Sequence, residues 1–385
     1  IGAGVGPSER QVDQRRVGDP DAASLEPLAQ RGWGRHQLDA VDRELVDHQR
    51  AGVETEAELE ERLLELFALV GLDGDLFRLG LASHMPPSTD RDEFIEAILK
   101  VRSEVIRQVE EDEKWADLVE LWQEDAINYS ATIGENTLFG LPADPTRKVW
   151  DCAADAPVRD ALSEAGVLGL LVDMGAQVAS TMIELFSDTG ADASLIGDFS
   201  FLSADDIPLF EQRLRDYRAK SASGLGAAEQ SAFVGLAFRI VPGRHRIVTI
   251  DGEVADKLLA ARKVMHKHLS NRDDYALLEP ERYVESLTVE DTVLFGKPRV
   301  DRRGARDKID VFLRETIAQL GLRGRISQAG LNFEVGVAGG RLSATQRRRI
   351  GLVRALVKRP RILIFDTIAD GDRALMERIL QNMTS

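Results

Sequence analysis

Residues Gly339 to Asp366 read G-G-R-L-S-A-T-Q-R-R-R-I-G-L-V-R-A-L-V-K-R-P-R-I-L-I-F-D. Apolar Ile350, Leu352, Val353, Leu356 and Val357 recur at helical spacing, and Arg359-Pro360 ends the run because proline cannot donate the next helical bond. Ile362 to Phe365 then forms a short apolar run of the buried-strand type, closed by Asp366. The predicted order is helix, break, strand, acid. Ser343 at the helix start with Gln346 three residues on is also a capping-box pattern, in which the two side chains satisfy the first free N–H groups.

This order and spacing resemble the ABC ATPase family. Its signature L-S-G-G-Q opens a helix ending in R-A-L, and its Walker B strand, four apolar residues and an aspartate, follows at the same distance. The resemblance implies an α/β fold with a P-loop NTPase (ABC ATPase) core, here fragmentary and enlarged by an internally repeated, mostly α-helical subdomain. It also implies that Leu342, Ser343 and Gln346 contact ATP held by an opposing ATPase domain in a head-to-tail dimer, and that Asp366 holds Mg2+ through water. Serine at a helix start suits that role, since backbone N–H groups and the positive dipole end can face a phosphate. A carboxylate at the C-terminal end of a strand is a common Mg2+ ligand. Arg347, Arg348, Arg349, Arg354, Lys358, Arg359 and Arg361 read as the solvated face of the same helix rather than as a nucleic-acid surface.

The departures bear on activity. Ala344 and Thr345 stand at the two signature glycines, where glycine permits close approach of backbone to phosphate. Thr367 follows Asp366 where the family has the glutamate that polarises water, and threonine is no general base near neutral pH. Whether the chain is an enzyme is therefore left open by its sequence.

A phosphate loop needs G-x-x-x-x-G-K-[ST], whose amides and lysine hold the phosphates. The chain opens Ile1-Gly2-Ala3-Gly4-Val5-Gly6-Pro7-Ser8, and V-G-P-S resembles the approach to that loop, which would make Gly6, Pro7 and Ser8 nucleotide contacts. Glu9 to Asp13 then break the motif. One legal coding of Glu9 to Asp13, GAG CGG CAA GTC GAC C, reads S-G-K-S-T when its first base is dropped, so a frame change after Ser8 is one explanation. An ordinary charged tail is the other. No strand precedes these glycines and no helix pattern follows, which weakens a dinucleotide-binding reading.

From Glu54 onward helical periodicity returns, and the pattern G-h-x-G-x-h-x-x-h-G, with h apolar, occurs three times. Its glycines are Gly71, Gly74 and Gly80; Gly166, Gly169 and Gly175; Gly321, Gly324 and Gly330. Amphipathic stretches Leu63 to Val70, Val158 to Ala165 and Leu313 to Leu320 precede them, predicting a helix ended by glycine and then a second short helix. Two copies share a further element, Ser130-Ala-Thr-Ile-Gly-Glu-Asn-Thr-Leu-Phe-Gly-Leu-Pro142 and Ser286-Leu-Thr-Val-Glu-Asp-Thr-Val-Leu-Phe-Gly-Lys-Pro298. Both resemble the T-I-x-E-N-I-x-x-G stretch after the Q-loop of exporter-type ABC domains, a stretch that in the family lies toward the membrane domain. By the same resemblance Gln123 stands near the Q-loop glutamine and Glu279 is its counterpart. An exposed helix residue is the plainer reading of Gln123.

With 385 residues, 43% hydrophobic, the chain can bury real cores, and a formal charge of −16 opposes general affinity for nucleic acid. Cys152 is the only cysteine, which excludes an internal disulfide framework. No apolar run is expected to span a bilayer, and both chain ends look cut. His266 and His268 point to different helix faces and read as surface residues. The expected organisation is 1–8, end of a core strand and start of the phosphate loop; 9–50, poorly ordered or out of frame; 51–186, helical repeats one and two. It continues with 187–285, a helical insertion with helices over Asp205 to Lys220 and Gly252 to Leu269, a linker from Ser221 and a strand from Ala237 to Val241; and 286–385, the post-Q-loop-like segment, signature helix and Walker B strand. The implied setting is the cytoplasmic face of a membrane, reached through a separate transmembrane transporter domain, with ATP and Mg2+ as cofactors.

Overall fold

The computed structural model describes residues 48–85, 91–189, 201–364 and positions 379 and 381. Gly6, Pro7, Ser8, Asp366 and Thr367 lie outside the described residues.

Helix α1 (Glu56–Leu69) starts where the Thr55 hydroxyl accepts the Glu58 N–H, and it ends where Gly71 takes φ 70°. Helix α2 (Asp73–Leu81) follows at once, then the long α3 (Arg91–Glu111), β1 (Val119–Leu121), α4 (Ile133–Leu138), β2 (Gly140–Pro142), α5 (Ala156–Glu164) and α6 (Leu168–Thr189). Apart from a single-turn helix at Glu113–Ala116 that only the first half has, the same eight elements then recur in the same order: α7 (Ile207–Lys220), α8 (Ala227–Phe238), α9 (Gly252–Leu269), β3 (Tyr275–Leu277), α10 (Val289–Leu294), β4 (Gly296–Pro298), α11 (Ala305–Gln319) and α12 (Arg323–Leu331). Helix α13 (Ala344–Leu356) closes the described fold.

The halves interlace. Strand β1 pairs antiparallel with β4, Val119 opposite Pro298 and Leu121 opposite Gly296, while β2 pairs with β3, Gly140 opposite Leu277 and Pro142 opposite Tyr275. Each ladder thus joins the two halves, and the registers are related by a pseudo-two-fold. The flanking bonds obey it too: Trp122 N donates to Phe295 O at 3.0 Å and Leu278 N to Phe139 O at 2.9 Å. Phe139 and Phe295, which end α4 and α10, adopt matching left-handed φ values of 44° and 42°.

Two lobes result, each built from the front of one half and the back of the other. The first core packs Phe77, Ile98, Val101 and Val105 from α2 and α3 against Val293, Ile309, Leu313 and Ile326 from α10, α11 and α12. The second packs Phe233, Phe238, Leu258 and Met265 from α8 and α9 against Ile133, Leu162, Leu171 and Val178 from α4, α5 and α6. Trp122, Ala131, Leu278, Leu287 and Phe295 form a smaller core where the two crossing loops meet. Helix α13 covers α1 through Leu66, Val70, Val353 and Leu356.

Glycine ends α1, α5 and α11 as the pattern predicts, with φ of 70°, 71° and 74° at Gly71, Gly166 and Gly321. The third glycine of each repeat serves a close helix crossing. A Cβ on Gly80 would overlap the Ile326 carbonyl, one on Gly330 the Leu76 carbonyl, and one on Gly175 the Phe233 carbonyl. So α2 crosses α12, and α6 crosses α8.

Several expectations are corrected. The second repeat is followed by a helix of 22 residues, not a short one. Within it Leu168–Leu185 is long and apolar enough by length and composition to cross a membrane, although its buried side chains, Leu171, Val172 and Val178 among them, build the second core. Ala237 and Phe238 end α8 instead of opening a strand, because the buried apolar run belongs to a helix packed on α6. The expected linker at Ser221 is a tight 3-10 turn with Leu225 buried. Residues 361–364 form no strand: Ile362 and Ile364 are 79% and 86% exposed, and no described strand lies beside them to accept their backbone bonds.

Candidate functional site

The signature-like end of α13 is built by its own side chains. The Ser343 hydroxyl accepts the Gln346 N–H at 3.2 Å, and Gln346 Oε1 accepts the Ser343 N–H at 2.8 Å. This is the reciprocal cap that the residues alone predict. Gln346 Nε2 also donates to Asp75 Oδ1 at 2.9 Å, and Arg349 donates to the Gly71 carbonyl at 3.2 Å, which ties the helix to the first repeat. Leu342 is buried beneath the turn, whereas Ser343, Ala344 and Thr345 are exposed and flanked by exposed Arg341, Arg347 and Arg348. The helix therefore presents an open N-terminus in a cationic surround, a setting that favours an anion.

Gln123 sits elsewhere, in the loop that crosses from β1 to α4. Its side chain is exposed, and its backbone carbonyl is held by Arg262. Among the described residues no hydrogen bond or core cluster joins Gln123 to Ser343, and neither residue lines a surface cavity of about 450 Å³ beside Leu168 and Gln230 or one of about 350 Å³ beside Glu120 and Val300.

The crossing loops reveal two residues that the motifs did not single out. From α9, Arg262 donates Nε to Asn136 O at 2.9 Å and Nη1 to Gln123 O and Glu124 O, both at 2.7 Å. Its Nη2 reaches Ala126 O at 3.2 Å. Arg102 repeats the arrangement from α3, with Nε on Thr292 O at 2.7 Å and Nη1 on Glu279 O, Pro280 O and Arg282 O at 3.2, 2.7 and 2.9 Å. Each guanidinium also lies over a phenylalanine ring, Arg102 on Phe295 at 4.9 Å and Arg262 on Phe139 at 4.3 Å. Burial lowers both guanidinium groups to about 10. Gln123 and Glu279 are thus equivalent, as their spacing suggests, but as backbone acceptors of a buried brace.

The two repeated segments that begin at Ser130 and Ser286 are likewise interior. Ile133, Asn136, Thr137 and Leu138 are buried, as are Val289, Thr292, Val293 and Leu294. Thr132 and Thr288 cap their helices through Glu135 N and Asp291 N, both at 3.1 Å. Glu290 occupies the position of Gly134, beside Arg306 at 2.6 Å. Burial outweighs that pairing and pushes the Glu290 carboxyl up to about 7. Its folded value lies above the unfolded one, so the folded state binds the extra proton between about pH 4.5 and 7, and this group's contribution to stability falls as pH rises through that window. Glu290→Gln should remove the fall and raise the melting temperature above pH 7, with the two proteins alike below pH 4. Parallel melting curves across pH 4–8 would contradict this.

His268 Nε2 donates to Glu164 Oε2 at 2.8 Å, and His266 is exposed.

No family model and no solved structure matches the chain. Among curated proteins, it is 26% identical over 201 residues to ABC transporter B family member 15 of Arabidopsis thaliana, covering 50% of this chain and 15% of that protein. It is 28% identical over 162 residues to the ATP-dependent lipid A-core flippase of Xylella fastidiosa, covering 41% of this chain and 25% of the relative. A shorter match, 43% identical over 56 residues, joins it to antigen peptide transporter 2 of Mus musculus, covering 14% of this chain and 8% of that protein. The chain spans a quarter or less of the length of these relatives, and over that partial length it is related to ABC transporters.

Proposed function

We propose that the chain is part of the ATP-binding domain of an ABC transporter, coupling ATP and Mg2+ binding to transport by a separate membrane domain at the cytoplasmic face. A P-loop NTPase core, completed by residues outside those described, belongs to this reading. The observation that carries it is α13: an exposed helix start at Ser343, capped by Gln346 and surrounded by arginines, in the sequence context of an ABC signature. An opposing ATPase domain would bring its nucleotide to that surface. Asp366 supplies the Mg2+ carboxylate in this scheme, and Gly6, Pro7 and Ser8 the approach to the phosphates.

A second reading, a non-hydrolysing interaction module, is favoured by one specific observation. The segments that resemble the coupling region are buried in the cores of the two lobes, with Gln123 serving the fold through its carbonyl. Thr367 in place of the catalytic glutamate points the same way.

MgATP titration separates the two. The chain as it stands should bind MgATP weakly, since its phosphate loop breaks after Ser8; a micromolar Kd would refute this. Insertion of G-S-G-K-S-T after Ser8 should restore binding while turnover stays slow. A repaired protein that still fails to bind would leave the interaction module as the better reading.

A further inference from the structure

The halves differ at two of the places where they meet. Gly80 on α2 and Gly330 on α12 cross backbone to backbone, each with the carbonyl four residues before the other glycine in its path. In the second lobe Gly175 plays the part of Gly330 against Phe233, which makes Ala237, four residues after Phe233, the counterpart of Gly80. At the centre, Lys297 Nζ lies 3.1 Å from Glu135 Oε1 and 3.6 Å from Asp291 Oδ1. Glu135 and Asp291 are the pseudo-equivalent capping carboxylates, and the counterpart of Lys297 is Leu141. One lysine serves two converging acids.

We propose that the chain is a fused pair of half-units joined through one self-complementary surface, in which Ala237 and Lys297 make each half select the other over a second copy of itself. Two first halves together would oppose Glu135 to Glu135 with only leucines at position 141, leaving two carboxylates without a cation. Two second halves would be neutral there, with a lysine for each Asp291. They would instead set α8 on α12, where the Ala237 Cβ meets the space that only Gly80 leaves beside the Ile326 carbonyl. Each like pairing carries one defect and the unlike pairing carries neither, a division of labour that sets partner choice by penalising the wrong partner. The surface is extensive, because both two-stranded ladders and both arginine braces cross it.

The test uses the full chain with a protease site inserted between residues 190 and 200, folded and then cut. The two pieces should elute together at the mass of the uncut chain. After unfolding and refolding of a mixture with differently tagged halves, unlike pairs should exceed like pairs at least tenfold. Ala237→Gly should raise pairing between second halves, and Leu141→Lys pairing between first halves, each at least several-fold. Separation into two folded monomers, or equal like and unlike pairing before substitution, would overturn the proposal. Should the cut protein precipitate, hydrogen exchange on the uncut chain decides. Elements α2, α3, β1 and α10 to α12 should open as one unit, and opening half by half would overturn it.

Discussion

Arg262→Met should lower stability by about 3–5 kcal/mol, the range for removing one partner of a buried charged network. The side chain is 3% exposed, and its guanidinium donates to four backbone carbonyls and to Asn136 Oδ1. Methionine fills part of the volume over the Phe139 ring but leaves the carbonyls of Gln123, Glu124 and Asn136 without this donor. Against a typical total of about 5–15 kcal/mol, the loss is a large share. Arg262→Lys should rescue little, since a single ammonium cannot reach carbonyls on both sides of the loop as a planar fork does. Arg102→Met should cost less than Arg262→Met, because Arg102 Nη2 is buried without a partner among the described residues. Denaturant titration with exposed Arg218→Met as the control checks this. If Arg262→Met moves the midpoint no further than the control, the brace does not hold the crossing.

The sequence made the repeated helix–glycine–helix units legible because their signals are local: an amphipathic period and a glycine that alone takes the left-handed turn readily. Interlacing was not legible. The partner of β1 is β4, more than 170 residues away, and no local pattern distinguishes that pairing from β1 with a nearer strand. A fourth copy of the helix pair, α7 with α8, is not legible, because its connection is longer, with a 3-10 turn after Ser221 at φ 57°, and because Ala237 stands where Gly80 does in the first copy. The arginine braces did leave a trace. Arg102 falls within the stripe of Ile98, Val101 and Val105, and Arg262 within that of Leu258, Ala261 and Met265, and a charge inside an apolar stripe is rarely tolerated without partners. At the signature end the residues alone predicted the Ser343 and Gln346 cap. The role toward ATP proposed for them depends on an opposing surface, which a single chain's sequence does not carry.

The repeat glycines should respond to alanine with opposite signs within one helix. Gly330→Ala places a Cβ against the Leu76 carbonyl and the Gly80 nitrogen, and Gly80→Ala places one against the Ile326 carbonyl. These are backbone atoms of a packed helix, so they yield only if α2 and α12 move apart and uncover Phe77 and Ile326, both fully buried. Overpacking of this kind costs about 1–3 kcal/mol for one methyl, and a strain shared along two helices lies at the upper end. Gly74, Gly169 and Gly324 occupy the middle position of the same pattern, and a Cβ there meets nothing within 4 Å. Alanine at these sites should stabilise by about 0.5–1 kcal/mol through helix propensity alone. The double variant Gly80→Ala with Gly330→Ala should cost less than the sum of the singles, because one separation of the helices relieves both overlaps. Melting curves for the five single variants and the double read all of this at once. A stabilised Gly330→Ala would show that α2 and α12 do not meet backbone to backbone, and with that contact would go the steric half of the case for why one half of this chain prefers the other.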